Sequence, residues 1–295
     1  MVRDMKKAEK VAVVGIIAAA ALGALIAWAG SDRGETVGGA KLFALLVIIA
    51  FAVNIAAFVP SFVARTEHYY DLTGSLTYIS LTIFAIALSS DLDVRSIIIA
   101  VLVLTWAGRL GSFLFRRVKR VGKDGRFDVI KHNLLRFLMF WVIQGLWITV
   151  TAGAALAAIS SGSKKDFGFY GVVGVIIWVV GFAIEVSADQ QKSAFKNDPA
   201  NDGSFINVGL WSWSRHPNYF GEITLWSGMA LLAYPALAGW QLLTLISPVF
   251  VALLLTRVSG LPAVESRADK KWGGQADYEA YKAATPVLVP RPPRS

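Results

Sequence analysis

Runs of about 17–25 apolar residues recur along the chain, and no other feature restricts its fold as strongly. Hydrocarbon offers the backbone no hydrogen-bond partner, so an apolar run of that length crosses a bilayer as a helix that satisfies its own amides. Eight such runs stand out, at residues 11–29, 42–64, 72–90, 97–115, 137–160, 169–188, 219–237 and 240–256. The fold expected is an all-α polytopic membrane protein with about eight transmembrane helices. The first run follows a short basic stretch, as a signal peptide does. Its length and the poor cleavage site at Ser31 and Asp32 favour a retained helix. A hydrophobic share of 55% with only 17% charged residues is too apolar for a soluble globular domain.

The charges orient these helices. With the N-terminus placed in the cytoplasm, 23 of the 29 Lys and Arg residues fall on cytoplasmic segments, 5 on the opposite face, and Arg109 inside a helix. That asymmetry follows the positive-inside rule and puts both termini in the cytoplasm. It also explains the net charge of +9 as loop charge, with no need for a nucleic-acid partner. The chain has no cysteine, which excludes disulfides, thiolate metal sites and cysteine nucleophiles. His68, His132 and His216 lie far apart, without metal-ligand spacing.

Ionisable and polar groups near the helix ends carry the functional signal, because a charge within a bilayer is costly. Arg109 lies about two turns from the cytoplasmic end of the fourth run. It either snorkels to lipid phosphate or binds an anionic ligand. Gln144 either bonds a neighbouring helix or reaches a ligand. Glu185 and Asp189, four residues apart, share one helix face and repel each other. Placed at the end of the 169–188 run they also oppose the helix macrodipole, which suggests acceptors for a ligand's hydroxyls or amide. Asp71 opens the third run as an N-cap, or as a carboxyl that bonds a substrate carbonyl. The basic loop 116–128 is mainly topogenic, but Arg126 stands apart between acids as a phosphate clamp. The tail 260–290 reads as an ordered cytoplasmic cap or as an interfacial anchor, and 291–295 as a short disordered end.

The stretch Trp211-Ser-Trp-Ser-Arg-His-Pro-Asn-Tyr-Phe-Gly-Glu222 is polar and aromatic and runs straight into an apolar segment. Its run Ser214-Arg-His-Pro-Asn-Tyr-Phe-Gly-Glu222, with Gly209-Leu-Trp211 and Glu185-x-x-x-Asp189 upstream, resembles the steroid 5α-reductase C-terminal family, and more narrowly a bacterial branch of it. Asp71-Leu-Thr-Gly-Ser, Trp106-x-x-Arg109, Asp124-Gly-Arg126-Phe, Gln144, Trp272-Gly and Tyr281-Lys-x-x-Thr-x-x-Leu-Val-Pro290 add to the likeness. It covers roughly residues 65–290, so residues 1–64 hold N-terminal helices, the first of them additional to the family core.

The resemblance implies a polytopic enzyme that uses NADPH, held by cytoplasmic loops, to reduce the double bond of an enone in a lipid. By it, Glu185, Asp189, Asn218 and Glu222 contact the adenosine and nicotinamide portions, and Arg109, Arg126 and Arg215 neutralise phosphates. Gln144, Trp211, His216, Tyr219 and Tyr281 fall in the same cofactor-binding group. Asp71 falls near the acid that binds the substrate carbonyl. The chain departs from the family where a Tyr precedes the matching arginine by three residues. Here that position is Trp106, which donates a hydrogen bond but is not an acid. Tyr78, two turns into the third helix from Asp71, is the substitute the sequence offers. The membrane lipids and a lipid-like small molecule are the expected partners, and a bacterial inner membrane the expected location. An S-adenosylmethionine-dependent methyltransferase of the isoprenylcysteine carboxyl methyltransferase type is the alternative. Those enzymes share Arg-His-Pro before a late helix but tend to carry a Glu-Glu pair in the tail, where Val264-Glu265-Ser266 has one acid. A non-catalytic lipid-binding or sensor protein is the third reading.

Overall fold

The computed structural model describes residues 2–121, 127–258 and 260–293. Its α-helices are α1 (Val2–Gly30), α2 (Leu42–Val63), α3 (Tyr70–Leu88), α4 (Val94–Val121), α5 (Leu134–Thr151), α6 (Gly153–Ile159), α7 (Phe169–Asn197), α8 (Pro217–Ala233), α9 (Ser247–Leu253), α10 (Leu261–Trp272) and α11 (Ala276–Ala284). One two-stranded hairpin, β1 (Thr36–Val37) and β2 (Ala40–Lys41), follows α1. Among the described residues, seven helical stretches are long and apolar enough to cross a membrane. They support an integral membrane protein with a helical fold.

The difference from the expected eight comes from the seventh run. It forms α8, whose 17 residues span about 25 Å, short of a hydrocarbon core of about 30 Å. The last run is not one regular helix either. It passes through a 3₁₀ segment at Gly239–Ile246, α9 and a π turn at Leu254–Val258 within the continuous stretch Gly239–Trp272. The expected fifth helix, 137–160, breaks at Ala152 into α5 and α6, where Ser247 Oγ donates to the Thr151 carbonyl at 2.5 Å. Two further expectations are corrected. Asp71 is not the N-cap of α3: Tyr69 is, and Asp71 sits in the first turn, where its charge favours the helix dipole. Glu185 and Asp189 are not at a helix end, because α7 continues to Asn197. Residues 190–197 are mostly good helix formers, and the dipole effect fades beyond the last turn, so the macrodipole exacts no cost at the acidic pair.

The chain forms two compact units. The first comprises Met1–Gly171 and Leu232–Ser247, the second Val172–Leu231 and Pro248–Ser295. In the first unit, Phe58, Phe127, Phe137 and Trp141 make a buried aromatic cluster. Tyr70 joins it edge-on to Trp141 at 5.1 Å and donates its hydroxyl to the Phe140 carbonyl at 2.9 Å. Gln144 returns the tie, its Nε2 donating to the Tyr70 carbonyl at 2.9 Å. Beside the cluster, buried Glu67 accepts from Lys131 Nζ at 2.8 Å. The start of α3, with Asp71, is thus fixed from two directions. Elsewhere in this unit Arg95 is buried to 1% exposure, donating to the carbonyls of Leu232 and Asp166, each at 2.7 Å. Glu35 gathers Ser89 Oγ, Ser90 N and Ser90 Oγ. Burial opposes its ionisation, but those donors outweigh it and hold the carboxyl below its ordinary range.

In the second unit, α7 and α8 meet backbone to backbone. Gly174 and Gly181 on α7 are seven residues apart, and so are Gly221 and Gly228 on α8. A Cβ on Gly181 would meet the Leu225 amide and the Gly221 carbonyl. One on Gly221 would lie 2.6 Å from the Glu185 amide, and one on Gly228 2.5 Å from the Trp178 amide. The collisions are with backbone and cannot be relieved by a rotamer. Gly181→Ala or Gly221→Ala is therefore expected to destabilise the protein by about 2–3 kcal/mol, the upper range of overpacking costs. Gly108→Ala, in α4 with nothing within 4 Å of its Cβ, should instead be neutral or gain up to about 1 kcal/mol from helix propensity. Thermal unfolding in detergent checks both signs.

Candidate functional site

The sequence-predicted residues divide between the two units. Asp71, Tyr78, Trp106, Arg109 and Gln144 belong to the first; Glu185, Asp189, Trp211, Arg215, His216, Asn218, Tyr219, Glu222 and Tyr281 to the second. Arg126 lies outside the described residues, as do 122–125 of its loop and 294–295 of the tail.

Within the first unit, α3 and α4 bring Tyr78 and Trp106 together. Both are buried, and their rings pack edge to face at 5.1 Å with an 88° interplanar angle. The phenol proposed as a substitute thus touches the indole whose role it would share. Arg109 stacks its guanidinium over Phe113 at 5.3 Å, within its own helix. Because α4 runs on to Val121, Arg109 is about three turns from the helix end rather than two. Gln144 spends its amide nitrogen on Tyr70, while its Oε1 is buried without a hydrogen-bond partner among the described residues.

In the second unit the glycine crossing sets Glu185 and Asp189 on α7 beside the first turns of α8. Asn218 Nδ2 donates to Asp189 Oδ1 at 3.3 Å. Asn218 Oδ1 is buried and finds no partner among the described residues. The segment before α8 is pinned to α7. Gly209, at φ +61°, presses its backbone on the Gln191 side chain, and Leu210 N donates to Gln191 Oε1 at 2.9 Å. Trp211 Nε1 donates to the Ala188 carbonyl at 3.0 Å, and Lys192 Nζ sits 4.2 Å from the Trp211 ring.

The tail closes over the same segment. Arg215 N donates to the Pro286 carbonyl, Arg291 N to Trp213, each at 2.9 Å, and Ser214 Oγ to the Leu288 carbonyl at 2.8 Å. Tyr281 donates its hydroxyl to the Trp211 carbonyl at 2.7 Å, and burial raises its pKa well above the usual phenol value, so it stays a donor. Trp272 Nε1 reaches the Gly203 carbonyl at 2.6 Å, and Phe205 packs against Tyr278 and Tyr281. Asp269 receives Tyr278 Oη at 3.0 Å and Lys282 Nζ at 2.6 Å.

One member of the cluster lies outside the expected set. Glu265 on α10 bridges the two residues at the centre of the motif: Arg215 Nη1 donates to its Oε2 at 2.7 Å, and His216 Nε2 lies 2.6 Å from its Oε1. Its spacing of four from Asp269, on an otherwise basic helix, was the signal available in the sequence. His216 stacks on Tyr219 at 5.4 Å. Two effects oppose each other on its ring. Removal from water favours the neutral form and Glu265 favours the imidazolium; the first is larger, so the ring titrates below its ordinary 6.5. The unfolded chain then takes up this proton before the native one does. Stability from His216 is whole above about pH 6.5 and is lost as the pH falls below it. The unfolding midpoint should drop between pH 7 and pH 5, and His216→Gln should flatten that drop.

Against known proteins, the chain matches the family model described as a protein of unknown function (DUF1295) over residues 57–285. It is 25% identical to an uncharacterized protein of Schizosaccharomyces pombe over 178 residues, half of this chain and 52% of that one. It is 36% identical to a probable O-methyltransferase of Ustilaginoidea virens over 81 residues, 27% of this chain and 28% of the other. Over 120 residues, 40% of each chain, it is 25% identical to 3-oxo-5-alpha-steroid 4-dehydrogenase 1 of Rattus norvegicus. The chain spans about half the length, or less, of these curated relatives. No solved structure matches it. With the family match running over most of its length, the chain belongs to the DUF1295 family, which is the steroid 5-alpha reductase-like family.

Proposed function

We propose that this protein is an NADPH-dependent membrane reductase of an activated carbon–carbon double bond, acting on a sterol-like, isoprenoid or fatty enone. The observation that carries the reading is the Asn218 carboxamide. It is held by Asp189 on one side and on the other keeps a buried acceptor with no partner among the described residues. Such an acceptor costs about 1–3 kcal/mol unless a donor reaches it. NADPH carries hydroxyl and amide donors of that kind, and phosphates for Arg215, whose Nε is likewise buried without a partner among the described residues. The similarity to the rat steroid dehydrogenase supports the same class of reaction.

Residues of the second unit, Glu185, Asp189, Trp211, Arg215, His216, Asn218, Tyr219, Glu222 and Tyr281, would hold the cofactor. The bound cofactor supplies the hydride. On the substrate, electron density moves from the double bond to the carbonyl oxygen, and fixed donors aimed there stabilise the change. Tyr78 and Trp106 are the donors and Asp71 the carbonyl-binding acid in this reading. The membrane would be a bacterial inner membrane, with both termini and the cofactor face in the cytoplasm.

A methyltransferase using S-adenosylmethionine is the second reading, favoured by the similarity to a probable O-methyltransferase. Calorimetric titration of the purified full chain in lipid nanodiscs separates the two. NADPH should bind and S-adenosylmethionine should not. Asn218→Ala should weaken NADPH about 10-fold or more, the range for losing a buried hydrogen bond. Binding of S-adenosylmethionine alone would sink the reductase reading, and an Asn218→Ala variant with unchanged NADPH affinity would remove Asn218 from it.

A further inference from the structure

At one end of the first unit, the polar loop after α1 meets the start of α2 and the start of the Gly239–Ile246 segment. Three apolar stretches give way to polar chain at this level, which is therefore where lipid headgroups stand. Trp28, Ser31, Asp32, Lys41 and Trp240 line an open groove of about 400 Å³ there. Trp28 and Trp240 are each 56% exposed, as aromatic rings are in the belt between hydrocarbon and water. The two charges of the groove have opposite sign. Asp32 spends Oδ2 on the Trp240 amide at 2.8 Å, and its other oxygen has no protein partner among the described residues. Lys41 Nζ donates to the Gly34 carbonyl at 2.9 Å and makes no ion pair among the described residues. Ser31 Oγ is buried with no hydrogen-bond partner among the described residues.

We infer that this groove binds the headgroup of a zwitterionic phospholipid with a primary ammonium, of the phosphatidylethanolamine type. The ammonium donates to Asp32, and the phosphate accepts from Lys41 and from Ser31 Oγ, a hydroxyl able to donate to it. A ligand of a single sign would meet a like charge, an anionic headgroup at Asp32 and a simple amine at Lys41. Arg33 is exposed beside Asp32 but does not line the groove. The aromatic pair disfavours a choline headgroup. A trimethylammonium is held by ring faces set apart as a cage. Trp28 and Trp240 pack on each other instead, with centroids 5.3 Å apart and planes tilted by 44°, so no cation fits between them. They offer apolar area to the acyl chains beside the headgroup. A lipid seated here ties the end of α1 and the start of α2 to the Gly239–Ile246 segment, next to the Asp32–Trp240 bond. The site is independent of the cofactor reading, since every residue in it belongs to the first unit.

Native mass spectrometry of the full chain, delipidated in detergent, measures the affinity of the first lipid bound. The probes are dioleoyl phosphatidylethanolamine, phosphatidylcholine and phosphatidylglycerol. Wild type should bind the ethanolamine lipid about fivefold more tightly than either of the others, the upper range for one exposed ion pair. Asp32→Asn keeps a side-chain oxygen for the Trp240 amide and removes the charge. It should bring the preference for ethanolamine over choline below about twofold. Lys41→Gln should weaken both of those lipids alike, by about threefold, and leave their ratio unchanged, because both carry the phosphate. Equal affinity for the ethanolamine and choline lipids in wild type overturns the inference. So does tighter binding of phosphatidylglycerol, which would make the groove a site for anionic lipid. A preference that survives Asp32→Asn overturns it too, by placing the selectivity elsewhere. Should Asp32→Asn fail to fold, Lys41→Gln decides, since Lys41 is exposed. Unchanged affinity of that variant for both lipids overturns the groove.

Discussion

The second unit depends on the close approach of α7 and α8 at their glycines. A helix pair separated by ordinary side chains lies 8–10 Å apart. Here Gly181 and Gly221 remove the side chains at the crossing, so backbone meets backbone. One turn from the crossing stand Glu185 on α7 and Asn218 on α8, with Glu222 next to Gly221; Asp189, a turn beyond Glu185, touches Asn218. A wider crossing would part that pair. The same approach explains why two acids can share a helix face: the facing helix supplies a carboxamide donor that offsets their repulsion.

The second dependency is the tail. Its backbone pairs with the motif through Pro286, Leu288 and Arg291, and its side chains supply Tyr281 and Glu265. The motif's own donors are largely committed: the Trp211 indole to Ala188, the Arg215 Nη1 and the His216 ring to Glu265. What stays open is narrow and specific. Among the described residues it includes one amide oxygen on Asn218 and one guanidinium nitrogen on Arg215. An acceptor and a donor, both buried, define part of the polarity a ligand must present.

Much of this was legible in the sequence. The apolar runs marked the spanning helices because bilayer thickness fixes their length, and α2 and α3 begin and end within two residues of their runs. Asp189 and Asn218 were both assigned to one cofactor-binding group, and they touch. What the runs could not show was where hydropathy and helicity part company. α7 continues for two turns past its apolar stretch, since Gln, Lys, Ala and Ser extend a helix without adding hydropathy. The 219–237 run shortens because Pro235 follows soon after and the chain turns into a 3₁₀ segment at Tyr234–Ala236. Glu265 and the buried Arg95 were missed for a common reason. Their partners are carbonyls, an arginine and a histidine far away in sequence, and only tertiary structure brings them together. The glycine spacing of seven was visible but silent without a facing helix.

The central claim is that the second unit grips NADPH through Asn218 and its acidic neighbours. The most direct measurement is an experimental density map, with native mass spectrometry, of the protein purified gently from its membrane. The account expects NADPH or its oxidised form, with hydroxyl or amide groups against Asn218 and Asp189. S-adenosylmethionine in that place, or NADPH bound with Asn218 untouched, would contradict it.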